Sequence, residues 1–409
     1  MSAISIIEVK KLTKVFDNRL TAVDHISFDV EEGEIFGFLG PNGAGKTTTL
    51  NMLATLLRPT SGNATVDGHD ILKDPDAVRH SIGFVFQDPT LDTELTGREN
   101  LDFHGRIYGI KADVREKRIK EMLEVVQLSD RADELVKTYS GGMKRRLEIA
   151  RGLLHYPRVL FLDEPTLGLD PQTRRAIWDY IERLNQQENV TIILTTHYTE
   201  EADQLCDRIQ IIDFGKIVAL DTAENLKARL QGDVVTLSFK EAAMVPKVRQ
   251  LLEGKDWIRR IDAMGAESNH GGMARMMQMM RGMSGGGGMG GMMSGMGTDA
   301  PAMSGSLPKK MKGMPPQVMA GALGPHGVDE GATRLNLLVD DGGHRIPEIV
   351  KLVDAAGVAV DSVELHKPTL DDVFLSVTGR SIRDERGSFM EGVRRNVIVQ
   401  SARGRRMPG

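Results

Sequence analysis

A single cysteine, Cys206, stands among 409 residues. One thiol excludes an intramolecular disulfide and any zinc site built on several cysteines. A reducing, cytosolic setting is the simple expectation for such a chain. Long apolar runs are missing too, since nothing approaches the ~20 consecutive apolar residues that span a bilayer. Any membrane role is therefore expected to come through a partner. The opening MSAISIIEVKKLTK lacks the long apolar region and cleavage site of a signal peptide. Neither sign of charge dominates, with 57 acidic against 52 basic residues. A net charge of -5 with 27% charged residues suits a soluble protein. It gives no argument for a nucleic-acid partner, and none is expected. At 409 residues the chain exceeds one typical core, so two domains plus extras are expected.

What is there begins with a glycine-rich run, Gly40, Pro41, Asn42, Gly43, Ala44, Gly45, Lys46, Thr47, Thr48. It fits the G-x-x-x-x-G-K-[ST] phosphate-loop pattern. Apolar Ile35 to Leu39 precede it and a helix-compatible run to Leu56 follows. Glycines let consecutive backbone N–H groups close on phosphate oxygens, and the helix N-terminus adds positive potential. Lys46 is placed to reach the β and γ phosphates, and the Thr47 hydroxyl to ligate Mg2+. The run predicts a nucleoside triphosphate site.

Residues 4 to 225 read as one α/β domain. Strands are expected at 6–11, 26–30 and 35–39, at Thr65-Val66 before the Asp67-Gly68 turn, and at 82–86, 159–162 and 191–195. Thr96 with Glu99 forms a capping box for a helix over 97–108, a polar helical stretch reaches Leu128, and further helices cover 141–155 and 172–185. Fully apolar strands alternating with helices predict a mostly parallel, helix-covered sheet. A second domain, 226 to 378, reads β-α-β-β-α-β, the split ferredoxin-like pattern. Where its central hairpin would turn lies an insertion, 264 to 330, dense in Met and Gly. Its glycines cost too much entropy to order, so a disordered loop is expected. Thioethers are soft ligands, which leaves Cu(I) binding as an alternative role for the loop. A basic tail, 379 to 409, carries Arg403, Arg405 and Arg406; it is read as a solvated tail, with contact to anionic lipid as the alternative.

Three further groups carry chemistry. Asp163 and Glu164 end an apolar strand. Asp163 is suited to hold Mg2+ and Glu164 to orient or deprotonate the attacking water. Ser140, Gly141 and Gly142 open a helix; Ser140 is either merely its N-cap and the glycines a loop, or together they make its N-terminus a second phosphate-binding surface. One nucleotide does not need two such surfaces from one chain, so a second copy could supply one in trans. Gln87 and His197 each follow a strand at the edge where α/β ligand sites form, and each is either a ligand or an ordinary polar residue there. Phe16 is either a core aromatic or a stacking platform for a base.

Together these motifs resemble the ATP-binding subunit of an ABC transporter, over about residues 4 to 225. Gly40 to Thr48 match Walker A, Leu160 to Glu164 match Walker B with its catalytic glutamate, and Ser140 to Met143 match the signature. Gln87 matches the Q-loop, Gly168 to Asp170 the D-loop, His197 the switch histidine and Phe16 the adenine-stacking aromatic. Met143 is often Gln in the family and Tyr139 often Leu. Val363 to Leu365 and Thr369 to Arg380 resemble the tail of the daunorubicin-resistance type, whose hairpin turn is short where this chain carries its insertion.

The resemblance implies a P-loop ABC ATPase with a helical subdomain, which binds ATP and Mg2+ and powers export. Two copies pack head to tail, and the chain sits at the cytoplasmic face of the membrane on a separate integral permease. Thr47, Asp163 and Gln87 serve the metal, Glu164 polarises water, His197 holds the γ phosphate and Asp170 couples the two sites. The alternatives are a soluble ABC ATPase acting on ribosome or nucleic acid, disfavoured by the single phosphate loop and the lack of a long heptad run, and an ATPase for copper export.

Overall fold

The structure, a computed structural model, describes residues 5–17, 20–265, 332–379 and 382. The Met/Gly insertion lies outside the described residues apart from positions 264 and 265, and the basic tail apart from Gly379 and Ile382. The chain forms two compact units, Met1–Gln231 with Pro368–Gly409, and Gly232–Lys367.

The first unit opens with β1 (Ser5–Val15), β2 (Thr21–Glu31), β3 (Ile35–Leu39), α1 (Lys46–Leu53), β4 (Ser61–Val66), β5 (His69–Asp70), α2 (Pro75–Ser81) and β6 (Ile82–Val85). It continues through α3 (Gly97–Ile107), α4 (Ala112–Val125), α5 (Gly141–Leu153), β7 (Val159–Asp163), α6 (Pro171–Glu188) and β8 (Thr191–Thr196). α7 (Thr199–Leu205), β9 (Arg208–Asp213), β10 (Lys216–Asp221) and α8 (Ala223–Ala228) follow. The main sheet runs β10-β9-β3-β8-β7-β6. Its pairs are parallel except the β9–β10 hairpin.

Why this sheet is central follows from β3, β7 and β8, in which every residue is buried. Strand residues alternate between faces, and here both faces are apolar. Ile35, Leu39, Leu160, Leu162, Ile192 and Leu194 point into a core shared with α4, α5 and α6. Phe36, Phe38, Phe161 and Ile193 point into a second core with β1, β2, β4 and α1. The expectation of a helix-covered sheet holds for the face under α4, α5 and α6 and is corrected for the other, which α1 shares with further strands. One face carries a second sheet, β2-β1-β4-β5, whose pairs are antiparallel. Phe28 of β2 stacks on Phe36 at 5.5 Å and meets Phe38 edge-on at 5.4 Å, a geometry that adds to plain area burial. β1 and β2 bury alternate residues over part of their length, the mark of a half-covered antiparallel strand.

The second unit comprises β11 (Asp233–Ser238), α9 (Met244–Leu252), β12 (Ile258–Gly265), β13 (Ala332–Val339), α10 (Gly342–Ala355) and β14 (Ser362–His366). Its sheet runs β12-β13-β11-β14 with antiparallel pairs. Val235 and Leu237 of β11 and Leu335 and Leu337 of β13 share a core with Val245, Val248 and Leu252 of α9 and Ile349 and Val353 of α10.

The boundaries differ from the linear reading. Leu226, expected to open the second domain, sits on α8 in the first unit's core. α11 (Leu370–Thr378), expected to end it, returns to the first unit and packs on α7, α8 and β10. Thr369 and Asp372 cap α11 in a capping box, and Leu370, Val373 and Phe374 are its buried anchors.

Candidate nucleotide site

The 40–48 loop joins β3 to α1 at the C-terminal edge of the parallel strands, where α/β ligand sites form. Its backbone demands glycine at two places. Gly45 has φ +106, and a Cβ there would lie 2.5 Å from the Ala22 carbonyl; at Gly40 a Cβ would lie 2.3 Å from the Ile212 carbonyl. Gly40, Pro41, Ala44, Gly45 and Lys46 are buried, Thr48 is half-buried, and Asn42, Gly43 and Thr47 are exposed.

Two linked contact sets form beside this loop. Thr47 Oγ1 donates to Asp163 Oδ1 at 3.0 Å, and Thr195 Oγ1 donates to the same oxygen at 2.6 Å. Lys46 Nζ donates to the carbonyls of Gly40 at 2.7 Å and Pro41 at 3.2 Å, and lies 3.5 Å from Glu164 Oε1. The other Glu164 oxygen is 3.3 Å from His197 Nδ1, an electrostatic contact, since that nitrogen makes no directed hydrogen bond. Lys46, Thr47, Asp163, Glu164 and His197 thus meet in one place. Side chains of Lys46 and Glu164 are 4% and 7% exposed, so their charges interact in a low dielectric.

Burial sets the titration of this cluster. Desolvation lowers the Lys46 pKa, opposed in part by Glu164 and Asp163. Desolvation raises that of Asp163 against the Thr195 and Thr47 hydrogen bonds. Burial also pushes Glu164 up, but His197 and Lys46 together outweigh it and leave its pKa below the usual value. Glu164 is thereby held ionised while its backbone adopts a left-handed φ of 46°. Such a conformation costs of order 1 kcal/mol or more in a non-glycine residue and persists only where its surroundings impose it. Thr195 helps impose it, accepting the Glu164 N–H through its carbonyl and its hydroxyl.

Ser140, Asp170, Gln87 and Phe16 stand outside that contact chain. Ser140 caps α5, accepting from Met143 N at 3.3 Å, and it and Gly141 are exposed. A Cβ on Gly142 would lie 2.5 Å from Thr173 Cγ2, so the signature turn packs against the start of α6. Asp170 caps α6, accepting from Thr173 N and Oγ1, which holds its carboxyl below the usual range. Gln87 is exposed just beyond β6. Phe16 is exposed, with Lys14 Nζ 5.3 Å from its ring centre.

Two site residues escaped the sequence reading. Thr195 ties Asp163 to Glu164, and its signal was the polar Thr195-Thr196 pair closing an apolar strand. Buried Arg145 bonds the backbone on both sides of Glu164. Its only trace is the Lys144-Arg145-Arg146 run, in which no local rule separates a buried arginine from its half-buried neighbours.

A parallel sheet with a phosphate loop after a central strand, and paired carboxylates ending a nearby strand, defines a P-loop nucleoside triphosphatase. The family model described as ABC transporter matches residues 23–167. The daunorubicin/doxorubicin resistance ATP-binding protein DrrA of Streptomyces peucetius is 45% identical over 249 residues, covering 61% of this chain and 75% of that protein. The doxorubicin resistance ATP-binding protein DrrA of Mycobacterium tuberculosis is 35% identical over 360 residues, 88% of this chain and 89% of its own. Among solved structures, CbiO1 of Clostridium perfringens, part of the ABC transporter complex CbiONQ, superposes with a TM-score of 0.52 at 28% identity, covering 61% of this chain and 96% of that one. The chain belongs to the ABC transporter ATP-binding proteins, in the drug-resistance group that includes these DrrA proteins. It is an ATP-hydrolysing subunit of an ABC transporter. These relatives favour the transporter over the ribosome, nucleic-acid and copper readings.

Proposed function

We propose that this subunit powers export of a drug-like or other hydrophobic substrate through a separate integral membrane permease, seated at the cytoplasmic face of the membrane. The drug-resistance relatives support the cargo class. Among the described residues no helix is long and apolar enough to cross a membrane. The observation that carries the catalytic part is the convergence of Lys46, Thr47, Asp163, Glu164 and His197 on one strand edge.

Two copies pack head to tail, with each ATP between residues 40–48 of one and Ser140 to Gly142 of the other. The exposed cap of α5 supports this, because the first turn of a helix carries N–H groups with no partner inside the helix, which attract phosphate. Phe16 stacks on adenine. Lys46 exchanges the Gly40 and Pro41 carbonyls for phosphate oxygens, and that exchange frees Glu164. Thr47 and Asp163 fit a hard cation, being two oxygen donors already 3.0 Å apart. With Gln87 they would hold Mg2+, which when bound neutralises phosphate charge. Glu164, ionised by its neighbours, orients the attacking water and takes its proton. His197 contacts the γ phosphate, and Asp170 couples the two sites across the interface. The second unit, with its 2-3-1-4 antiparallel sheet order, is read as a ferredoxin-like accessory domain.

Glu164→Gln tests the assignment. ATP binding should persist, the closed dimer should accumulate on size exclusion, and turnover should fall by about 100-fold or more. Wild-type turnover would sink Glu164 as the catalytic base.

A further inference from the structure

We infer that Arg145, with Glu148 and Arg151 on the same face of α5, is a positioning device that ties the signature turn of one copy to the Gln87 segment and to Glu164 of its own site. The inference rests on the ATP-hydrolysis reading above and adds to it the route by which nucleotide at one α5 cap reaches the neighbouring catalytic centre.

Arg145 is 6% exposed and Glu148 2%. A guanidinium so deep must find partners for its planar fork of donors. Nη1 donates to the Phe86 carbonyl at 2.6 Å and to Glu148 Oε2 at 3.1 Å. Nε donates to the Pro165 carbonyl at 2.8 Å and Nη2 to the Asp163 carbonyl at 3.0 Å. One side chain therefore grips the residue before Gln87 and the residues on either side of Glu164. The second grip holds the far end of the Gln87 segment. Thr90 N donates to Glu148 Oε1 at 2.8 Å, Arg151 Nη1 donates to the Thr90 carbonyl at 3.0 Å, and Arg151 Nη2 donates to the Thr90 hydroxyl.

Residues 145, 148 and 151 recur every three positions, so they line one face of α5. That helix begins at the exposed Ser140 cap. When the cap moves to meet a nucleotide, both ends of the Gln87 segment and the strained Glu164 backbone move with it. A lysine at 145 has the charge but no planar fork to span three carbonyls.

The test uses the full chain, with steady-state ATP turnover, fluorescent-nucleotide binding and thermal melting. Arg145→Met with Glu148→Met together removes the buried charges at similar volume but leaves the Phe86, Asp163 and Pro165 carbonyls and the Thr90 N–H without these partners, so melting should fall by several degrees with the chain still folded. Nucleotide affinity should change by less than about threefold while kcat falls by about 10- to 100-fold, because Glu164 and Gln87 lose their alignment. Arg151→Met leaves the buried pair intact and should lower kcat in the same direction with affinity unchanged. Wild-type kcat in a folded double variant overturns the inference. Should the double variant fail to fold, wild-type kcat in Arg151→Met overturns it. Glu164→Gln run alongside separates the two readings. Normal turnover there removes the catalytic assignment itself, whereas an inert Glu164→Gln beside a normal double variant removes only the positioning role.

Discussion

Gly45 shows how tightly single residues are bound to the nucleotide site. Its φ of +106 and the nearby Ala22 carbonyl leave no room for a methyl group. Gly45→Ala should therefore shift the loop and misdirect the N–H groups that would face phosphate. We expect nucleotide affinity to fall tenfold or more, about 1.4 kcal/mol, read by titration with a fluorescent ATP analogue. Glu164 has the opposite relation to its backbone, since a glycine would relax its left-handed φ. That strain is kept where a carboxylate must stand between Lys46 and His197. Every one of these five converging residues was legible from its motif. Thr195 and Arg145 were not, because threonine and arginine gain meaning there only through what they bond.

At the scale of elements, α11 illustrates what a sequence reading can and cannot place. Its start and end are local: Thr369 and Asp372 form the capping box, and Gly379 closes the helix at φ +76. Which core it completes is not local. Phe374 is fully buried beside residues of α7 and α8 more than a hundred positions earlier in the chain. Phe374→Ala should leave a cavity and cost about 3–5 kcal/mol, measured by urea unfolding of the full chain. Val377→Ala, at a position 42% exposed, should stay within about 0.5 kcal/mol. The same limit explains why the antiparallel sheet over the phosphate-loop face was missed. β1 and β2 were read as short strands of one sheet, since their partners, not their composition, assign them to another.

For the whole molecule, pH dependence follows from two histidines packed around Tyr108. The His155 ring stacks on Tyr108 at 4.0 Å and His104 lies 4.9 Å from it. Burial pushes the His104 pKa down to about 4, helped by Arg151 and His155. Burial likewise takes His155 to about 4, with His80 and Arg118 adding to the effect and the Ile82 carbonyl opposing it. Both are neutral in the fold, whereas the unfolded chain protonates them below their ordinary value of 6.5. Between those limits the unfolded state binds more protons, so stability rises with pH. The contribution is present above 6.5 and is lost as pH falls toward 4. The melting temperature should drop across this window, and His155→Phe, which keeps the ring stack, should flatten the drop in a pH series of thermal melts.

What the sequence by itself determined is whatever a few neighbouring residues decide: the phosphate loop, the caps at Thr96, Ser140, Asp170 and Thr369, the Asp67-Gly68 turn, and the apolar strands that must be central. These follow from allowed backbone angles, local hydrogen bonds and periodicity, which act within a turn or two of chain. Only the tertiary structure decided that Thr47 meets Asp163, 116 positions away, and that Arg145 meets Phe86, 59 positions away. It also decided that α11 returns to the first unit. Those contacts depend on the order in which strands join a sheet, which is set by the burial of the whole core.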